Sequence, residues 1–404
     1  MLKLQLLPIL LLCAPAAAQH HFVLTDTATN LHTDTFQVSA ADLGQPGDWS
    51  VQRLTLRGGK QEGVDSIVIR TDTLTAVILP TRGMSVHHID VAGVRVGWDS
   101  PSADIVHPAL INLDSRGGLG WLDGFNEALV RCGLEYAGHP GEDEIVDNVG
   151  NISKQQLTLH GRIGNLSASR VELVIDEEAP YRIRLRATIY ERSFYGPRLQ
   201  LDAEFSVVPG TRAWRIKDKV TNIGASEQEF QLIYHGNYGP PFLGEGARCI
   251  LPGRTVAPMN AKAEEEIASY GTYRAPTLGF VEEVYLFEPA GDEDGRTMAM
   301  LINPTGDLAT SVSWNLSELP YFTLWKNTAA LKDGYVTGLE PGTGFPFNRK
   351  FERKHGRVPK LAAGESRSFT LDYALHLGAE VKAAETRINK MRPDAFTIVK
   401  GVPK

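Results

Sequence analysis

Three side chains able to move a proton sit in separate glycine- or proline-rich settings. They are His160 in Leu-His-Gly-Arg, His235 in Tyr-His-Gly-Asn and Glu340 in Gly-Leu-Glu-Pro-Gly. Two imidazoles and a carboxylate suffice for paired general acid and base work on a neutral hydroxyl compound. The same trio could instead ligate a divalent metal, with His139, Glu142 or Asp143 nearby in sequence. A metal there would stabilise an enediolate formed beside the carbonyl of an oxidised sugar. Singly, each of the three is an ordinary polar residue. As a set they point to a site, and Glu340 stands out because a carboxylate is costly to bury without a partner.

Cationic and aromatic residues flank these positions. Arg82, Arg131, Arg162 and Lys326 lie in strand-end or loop settings. A guanidinium can grip a carboxylate or phosphate through two donors. It can equally orient sugar hydroxyls or pair internally with Glu127 or Asp123, and the sequence does not choose. Trp121, Phe125, Tyr238, Trp325 and Phe345 are the aromatic candidates, and Asn126 and Asn237 add amides. Sugars present apolar C–H faces as well as hydroxyl edges, so aromatic walls with a few directed polar groups suit them. Trp314 reads as core.

The elements that must position these groups are strands. Runs at 51–56, 67–70, 74–79, 93–98, 156–160, 168–174, 181–190, 199–208, 211–222 and 229–234 carry β signals, and so do 284–287, 297–302, 310–314, 321–325 and 368–377. Period-two alternation bounded by Gly, Pro, Asn and Asp is the strand signature. So many closely spaced strands predict a mainly β chain, a sandwich of large antiparallel sheets rather than a βαβ array. Residues 380–391 read as one surface helix closed by Pro393. Residues 105–146 carry few strand signals. Gly117, Gly118, Gly120 and Gly124 beside Trp121 and Phe125 make that segment either a cover for a sugar or a packed structural loop.

Lys3, the apolar run 6–13 and the small residues Ala16 and Ala18 before Gln19 read as a cleaved secretory leader. The expected organisation is a signal peptide at 1–18, a single β domain at 19–378, and a helix and tail at 379–404. The mature chain would then be periplasmic or secreted. Cys13 falls in the leader, leaving Cys132 and Cys249 as one bridge or, preferably, two buried thiols. The net charge of −7 at pH 7, without a basic block, argues against a nucleic-acid partner. No later apolar stretch could cross a membrane. A small soluble ligand is the partner class that remains, and the oligomeric state stays open.

Five motifs together carry a resemblance: Pro80-Thr81-Arg82-Gly83-Met84, Leu159-His160-Gly161-Arg162, Tyr234-His235-Gly236-Asn237, Trp325-Lys326-Asn327 and Gly338-Leu339-Glu340-Pro341. Over roughly residues 45–378 the chain resembles the aldose 1-epimerase (galactose mutarotase) superfamily, and more narrowly its branch of aldose 1-epimerase family proteins. The resemblance implies a β-supersandwich with a sugar cleft across one concave face and no cofactor. It matches Glu340 to the general base, His235 to the general acid and His160 to a second histidine holding the ring oxygen. The chain also departs from the pattern. Gly236-Asn237-Tyr238-Gly239 stands where the usual mutarotase has an aromatic and a second asparagine, and 117–133 has no obvious counterpart. The arginine candidates suggest an anionic sugar such as a uronate. A metal-assisted epimerase or lyase and a non-catalytic sugar-binding protein remain the alternatives.

Overall fold

Alternation along the chain becomes strands wherever one face is buried. In Ile183–Arg192 the apolar positions Ile183, Leu185, Ala187 and Ile189 turn inward, while Arg184, Arg186 and Thr188 face out. Arg198–Val207, Ala213–Asn222 and Ser366–Leu377 follow the same rule and pair in antiparallel register. In this computed structural model, which describes residues 18–401 and 403, they belong to a ten-stranded sheet. A second, thirteen-stranded sheet faces it. Among the described residues the strands pair antiparallel except where Thr255 and Val256 run parallel to Thr397 and Ile398, and isolated parallel bridges join Gly133 to Gly161 and Thr277 to Ala329. The mainly β sandwich of two large sheets is thus the observed architecture.

One large core joins the facing sides of the two sheets, including Ile67, Ile78 and Leu232 from one and Leu185, Leu201 and Leu371 from the other. Full burial of such a side chain contributes ~1.5–3 kcal/mol. The strands Glu283–Pro289, Tyr321–Asn327, Val336–Gly342, Gln231–Tyr238 and Leu129–Leu134 are successive neighbours in the thirteen-stranded sheet. Their other face carries the candidate chemistry.

Several sequence expectations change. Residues 93–98 form only the two-residue strand Val94–Arg95. Segment 105–146 holds two strands, Leu129–Leu134 and Gly141–Val146. Leu129–Leu134 shows no alternation because every position is buried, so its polarity pattern hides its period. His235 lies within the buried strand Gln231–Tyr238 rather than just beyond a run ending at 234, and Glu340 lies within the buried strand Val336–Gly342. His160 follows the strand Ile152–Leu157 in a turn, at a φ of 59°.

The C-terminal helix is Ala379–Lys390, which packs Val381, Ala384 and Ile388 against Met298 and Met300. Cys132 and Cys249 are both buried thiols. No helix among the described residues is long and apolar enough to cross a membrane. The expected leader falls outside the described residues apart from Ala18.

Candidate active site

Strand register builds the centre of the site. Ile233 pairs with Gly342 and Gly236 with Leu339, which sets His235 across from Glu340 on the adjacent strand. The pleat then sorts the faces. Leu232, Tyr234 and Tyr238 enter the inter-sheet core, whereas Ile233 and His235 turn to the opposite face. Leu339 likewise goes to the core and Glu340 to the cavity. His235 Nε2 lies 3.2 Å from Glu340 Oε1, with side chains only 5% and 2% exposed. The contact is close but off the hydrogen-bond direction, so Oε1 has no aligned partner. Gly338 is required beside it, since a Cβ there would stand 2.3 Å from Glu340 Oε1.

Asn237 determines which nitrogen of His235 is free. Its Nδ2 donates to the carbonyl oxygens of Glu127 at 3.0 Å and His235 at 3.2 Å. Its Oδ1 therefore faces His235 Nδ1, 2.7 Å away, and accepts that proton. Nε2 of the neutral ring is left with a lone pair, 3.2 Å from Glu340 Oε1. His160 is arranged alike, with Nδ1 3.3 Å from the carbonyl of Ala137 as its donor.

The turn that carries His160 is tied to the sheet. Gly133 donates to the His160 carbonyl at 3.0 Å, and His160 donates to Gly138 at 2.9 Å. Gly161 takes a φ of 71°, and a Cβ there would lie 2.2 Å from the carbonyl oxygen of Tyr136. Only glycine fits this approach. The His160 and His235 rings meet edge to face with centroids 5.3 Å apart. Trp121, after the short helix start at Gly120, packs on His160 at 4.7 Å, and Phe125 on His235 at 5.3 Å.

A cavity of about 260 Å³ opens over this centre. His160, His235, Glu340, Thr323 and Trp325 supply its polar and aromatic wall, with Leu119, Leu122, Leu159, Met259 and Val284 as apolar wall. His139 and Glu282 stand at the exposed rim, and Glu282 Oε2 accepts a 2.9 Å bond from Trp325 Nε1. The larger depression on the outer face of the ten-stranded sheet is lined by alternating surface charges such as Arg170, Glu172 and Lys217, far from any such chemistry. His139 was visible only as a metal candidate. Glu282, Thr323 and Met259 carry no motif and were not legible.

Burial sets the charge states. It pushes the Glu340 carboxyl well above the usual carboxylate range, with the charge of Glu282 adding to the effect. Burial lowers His235 to about 4, against a smaller opposing contribution from the Asn237 bond. His160 is driven well below the usual range by burial and by His235. Burial thus favours the uncharged form of all three groups, the two imidazoles and the carboxyl.

The expected cationic lining is not there. Arg82 donates to Glu127 at 2.9 Å and to the carbonyls of Val106 and Gly124. Arg131 pairs with Tyr234 across strands, so the pleat sends it into the inter-sheet core, where it meets Asp218 at 2.6 Å. Lys326 follows Leu324 inward to Glu283 at 3.0 Å. Tyr238 is also core. Asn126 spends its amide on the carbonyls of Ser102 and Asp104. Arg162 lies 3.7 Å from Glu135 on a separate depression. Trp121 backs the imidazoles, and Leu119 and Leu122 of its segment reach the cavity. Of the proposed binding residues, Asn237 and Trp121 thus adjoin the centre and the others are committed elsewhere.

Residues 61–375 match the family described as a domain of unknown function, DUF4432. The chain belongs to the DUF4432 family. It is similar to a candidate aldose 1-epimerase from Klebsiella pneumoniae subsp. pneumoniae MGH 78578, at 39% identity over 96% of this chain and 100% of that one, with a TM-score of 0.90. It shares its fold with a galactose mutarotase-like protein from Clostridium acetobutylicum (16% identity, 81% and 98% covered, TM-score 0.55). A galactose 1-epimerase from Lactobacillus acidophilus NCFM shares it too (13% identity, 81% and 99% covered, TM-score 0.51). No curated protein matches. The resemblance to the aldose 1-epimerase superfamily holds at the level of family and of the galactose mutarotase-like supersandwich.

Within this DUF4432 chain the metal-ligand reading loses its outer residues. Asp143 is held by Arg349 at 2.6 Å and Arg353 at 2.8 Å, and Glu142 by Lys154 at 2.8 Å. None of the described residues forms a cluster of three or more His, Cys, Asp or Glu with metal-holding geometry.

Proposed function

We propose that the protein is an isomerase of aldose 1-epimerase type that interconverts the anomers of a free aldose. One observation carries this reading: His235 Nε2 and Glu340 Oε1 stand 3.2 Å apart on the wall of a cavity that combines apolar and aromatic side chains with a few polar ones. At about 260 Å³ the cavity lies just below the usual ligand-site range of ~300–1,000 Å³, which suits a ligand no larger than a monosaccharide. The 39% identity to the Klebsiella protein supports the same reaction class.

Ring opening needs a base at the anomeric hydroxyl and an acid at the ring oxygen. The base takes the hydroxyl proton, the C1–O1 bond gains double-bond character, the C1–O5 bond breaks, and the acid gives its proton to O5. The resemblance makes Glu340 the base and His235 the acid, which requires the ion-pair form. Burial favours the other form at rest, with the proton on Glu340 and a lone pair on His235 Nε2. The dyad carries one proton in either form, and each ring opening or closure converts one form into the other. Rotation about C1–C2 followed by closure yields the second anomer and restores the dyad. The His160 Nε2 lone pair accepts a sugar hydroxyl, and Trp325 offers a face to the ring's C–H bonds. Each positioned acid or base contributes ~10²–10⁴-fold. The reaction would run in the periplasm or outside the cell, on the strength of the leader motif.

Exchange NMR on α and β glucose and galactose tests the proposal. Cross-peaks between anomers that grow faster with protein than without it support it, with and without a chelator. Bound sugar whose anomers exchange at the uncatalysed rate would refute it in favour of a binding protein.

A further inference from the structure

The rim of the cavity carries a carboxylate to which neither the sequence motifs nor the proposed proton transfers assign a role. Glu282 precedes the strand Glu283–Pro289 and stands exposed at the mouth. It is not loose there. Trp325 Nε1 donates to its Oε2 at 2.9 Å, and Trp325 in turn packs 5.5 Å from the His235 ring. The Glu282 side chain has no salt-bridge partner among the described residues. Its charge reaches the reacting centre, since it adds to the upward push on Glu340.

The titratable group facing it is His139 at the same rim, where desolvation outweighs the attraction of Glu282 and lowers the imidazole below its usual range. Among the described residues no lysine or arginine lines the cavity. The nearby cations are neutralised on the other face of the sheet, Arg131 by Asp218 and Lys326 by Glu283. A sugar bearing a carboxylate or phosphate would therefore enter past an uncompensated negative group and find no cation inside. An ammonium would meet the reverse: a carboxylate beside an indole face, the pairing that attracts cations electrostatically.

Resting on the anomer-exchange reading of this site, we propose that Glu282, anchored by Trp325, is a specificity-determining residue that turns away anionic sugars and admits neutral and amino sugars. Discrimination of this kind works through unfavourable contacts with the wrong ligand as much as favourable contacts with the right one. The effect of one rim charge is about tenfold in relative affinity.

Ligand-observed NMR titrations with galactose, galactosamine and galacturonate would measure binding, and exchange spectroscopy on the same samples would measure turnover. The wild-type protein is expected to bind galacturonate at least about tenfold more weakly than galactosamine. In E282Q that ratio should shrink toward one, and in E282K it should invert. Added salt should also shrink the wild-type ratio, because the charge is solvent-exposed. Equal wild-type binding of the two charged sugars, or a ratio untouched by E282Q, overturns the proposal. Selective binding without anomer exchange overturns the catalytic reading and leaves the selectivity standing. Failure to bind any of the three sugars overturns both. A circular dichroism melt of each variant checks that it is folded, and E282Q, which keeps the acceptor oxygen for Trp325, serves if E282K is not.

Discussion

His235 and Glu340 meet as a cross-strand pair, Nε2 to Oε1 at 3.2 Å, both all but sealed from solvent. Asn237 leaves His235 only its Nε2 lone pair to offer, and burial favours the proton on Glu340. One proton is thus shared by two groups whose charged forms are both disfavoured in the resting protein. That is the condition in which a proton can leave one partner and reach the other through a bound hydroxyl compound at little cost.

Replacing Glu340 by Gln removes the shared proton and preserves shape. Anomer exchange should fall by ~10²–10⁴-fold. Stability should change little, because burial favours the uncharged carboxyl and the amide keeps its shape without a charge. Exchange NMR and a thermal melt on the same sample check both halves.

The pH profile follows from His235. Its folded value of about 4 lies below the ordinary 6.5, so activity should persist well below pH 6 and fall only as the ring gains a second proton near pH 4. In the N237D variant a carboxylate faces Nδ1 and favours the imidazolium. The acid limb should then move to higher pH. A limb that stays put would show that Asn237 does not act on the ring.

Gly338 is a packing requirement of the dyad. In G338A the new methyl would stand 2.3 Å from Glu340 Oε1 and 3.3 Å from His235 Cε1. The carboxyl must swing away, so exchange should fall at least tenfold. The accompanying stability loss should be ~1–3 kcal/mol, as for other overpacked sites.

Glu191 should govern stability rather than activity. Its Oε2 accepts from Leu134 N–H at 2.7 Å, and burial raises its carboxyl to about 7 from 4.5. Below pH 4.5 the group is protonated in both folded and unfolded chains. Between pH 4.5 and 7 the unfolded chain ionises first, so stability is lost as pH rises. The loss should total about 3 kcal/mol above pH 7. E191Q lacks the ionisation, so it should match the wild type near pH 4.5 and exceed it by that amount at pH 8 in denaturant melts.

Arg131 and Asp218 form an ion pair between the two sheets, with Tyr234 also donating to Asp218 at 2.8 Å. Removing one partner strands a buried charge. R131M should therefore lower stability by ~3–5 kcal/mol. A substrate-binding arginine would instead alter KM and leave the denaturation midpoint in place.

Much of the architecture was legible locally. Strands such as Ile183–Arg192 and Ala213–Asn222 have one face toward the core and one toward water, so their alternation appears directly in the residues. The helix Ala379–Lys390 was legible from its composition and closing proline. Leu129–Leu134 was not, because both of its faces are buried and nothing in its polarity marks the period. The same blindness affected the binding residues. Arg131 and Lys326 sit one position out of phase with Cys132 and Trp325, which lie on the cavity side of the sheet, and a shift of one residue reverses the face.

The chain's own order of residues determined the family, the layered β architecture, and the presence of His160, His235 and Glu340 in settings able to hold them rigidly. Tertiary structure alone decided that His235 and Glu340 face each other, that Asn237 orients one of them, that Glu282 stands at the mouth, and that the arginines face away. Propensity and alternation are properties of neighbouring residues. Register and sheet face arise only when strands distant in sequence pair, and in fully buried strands no local polarity announces the outcome.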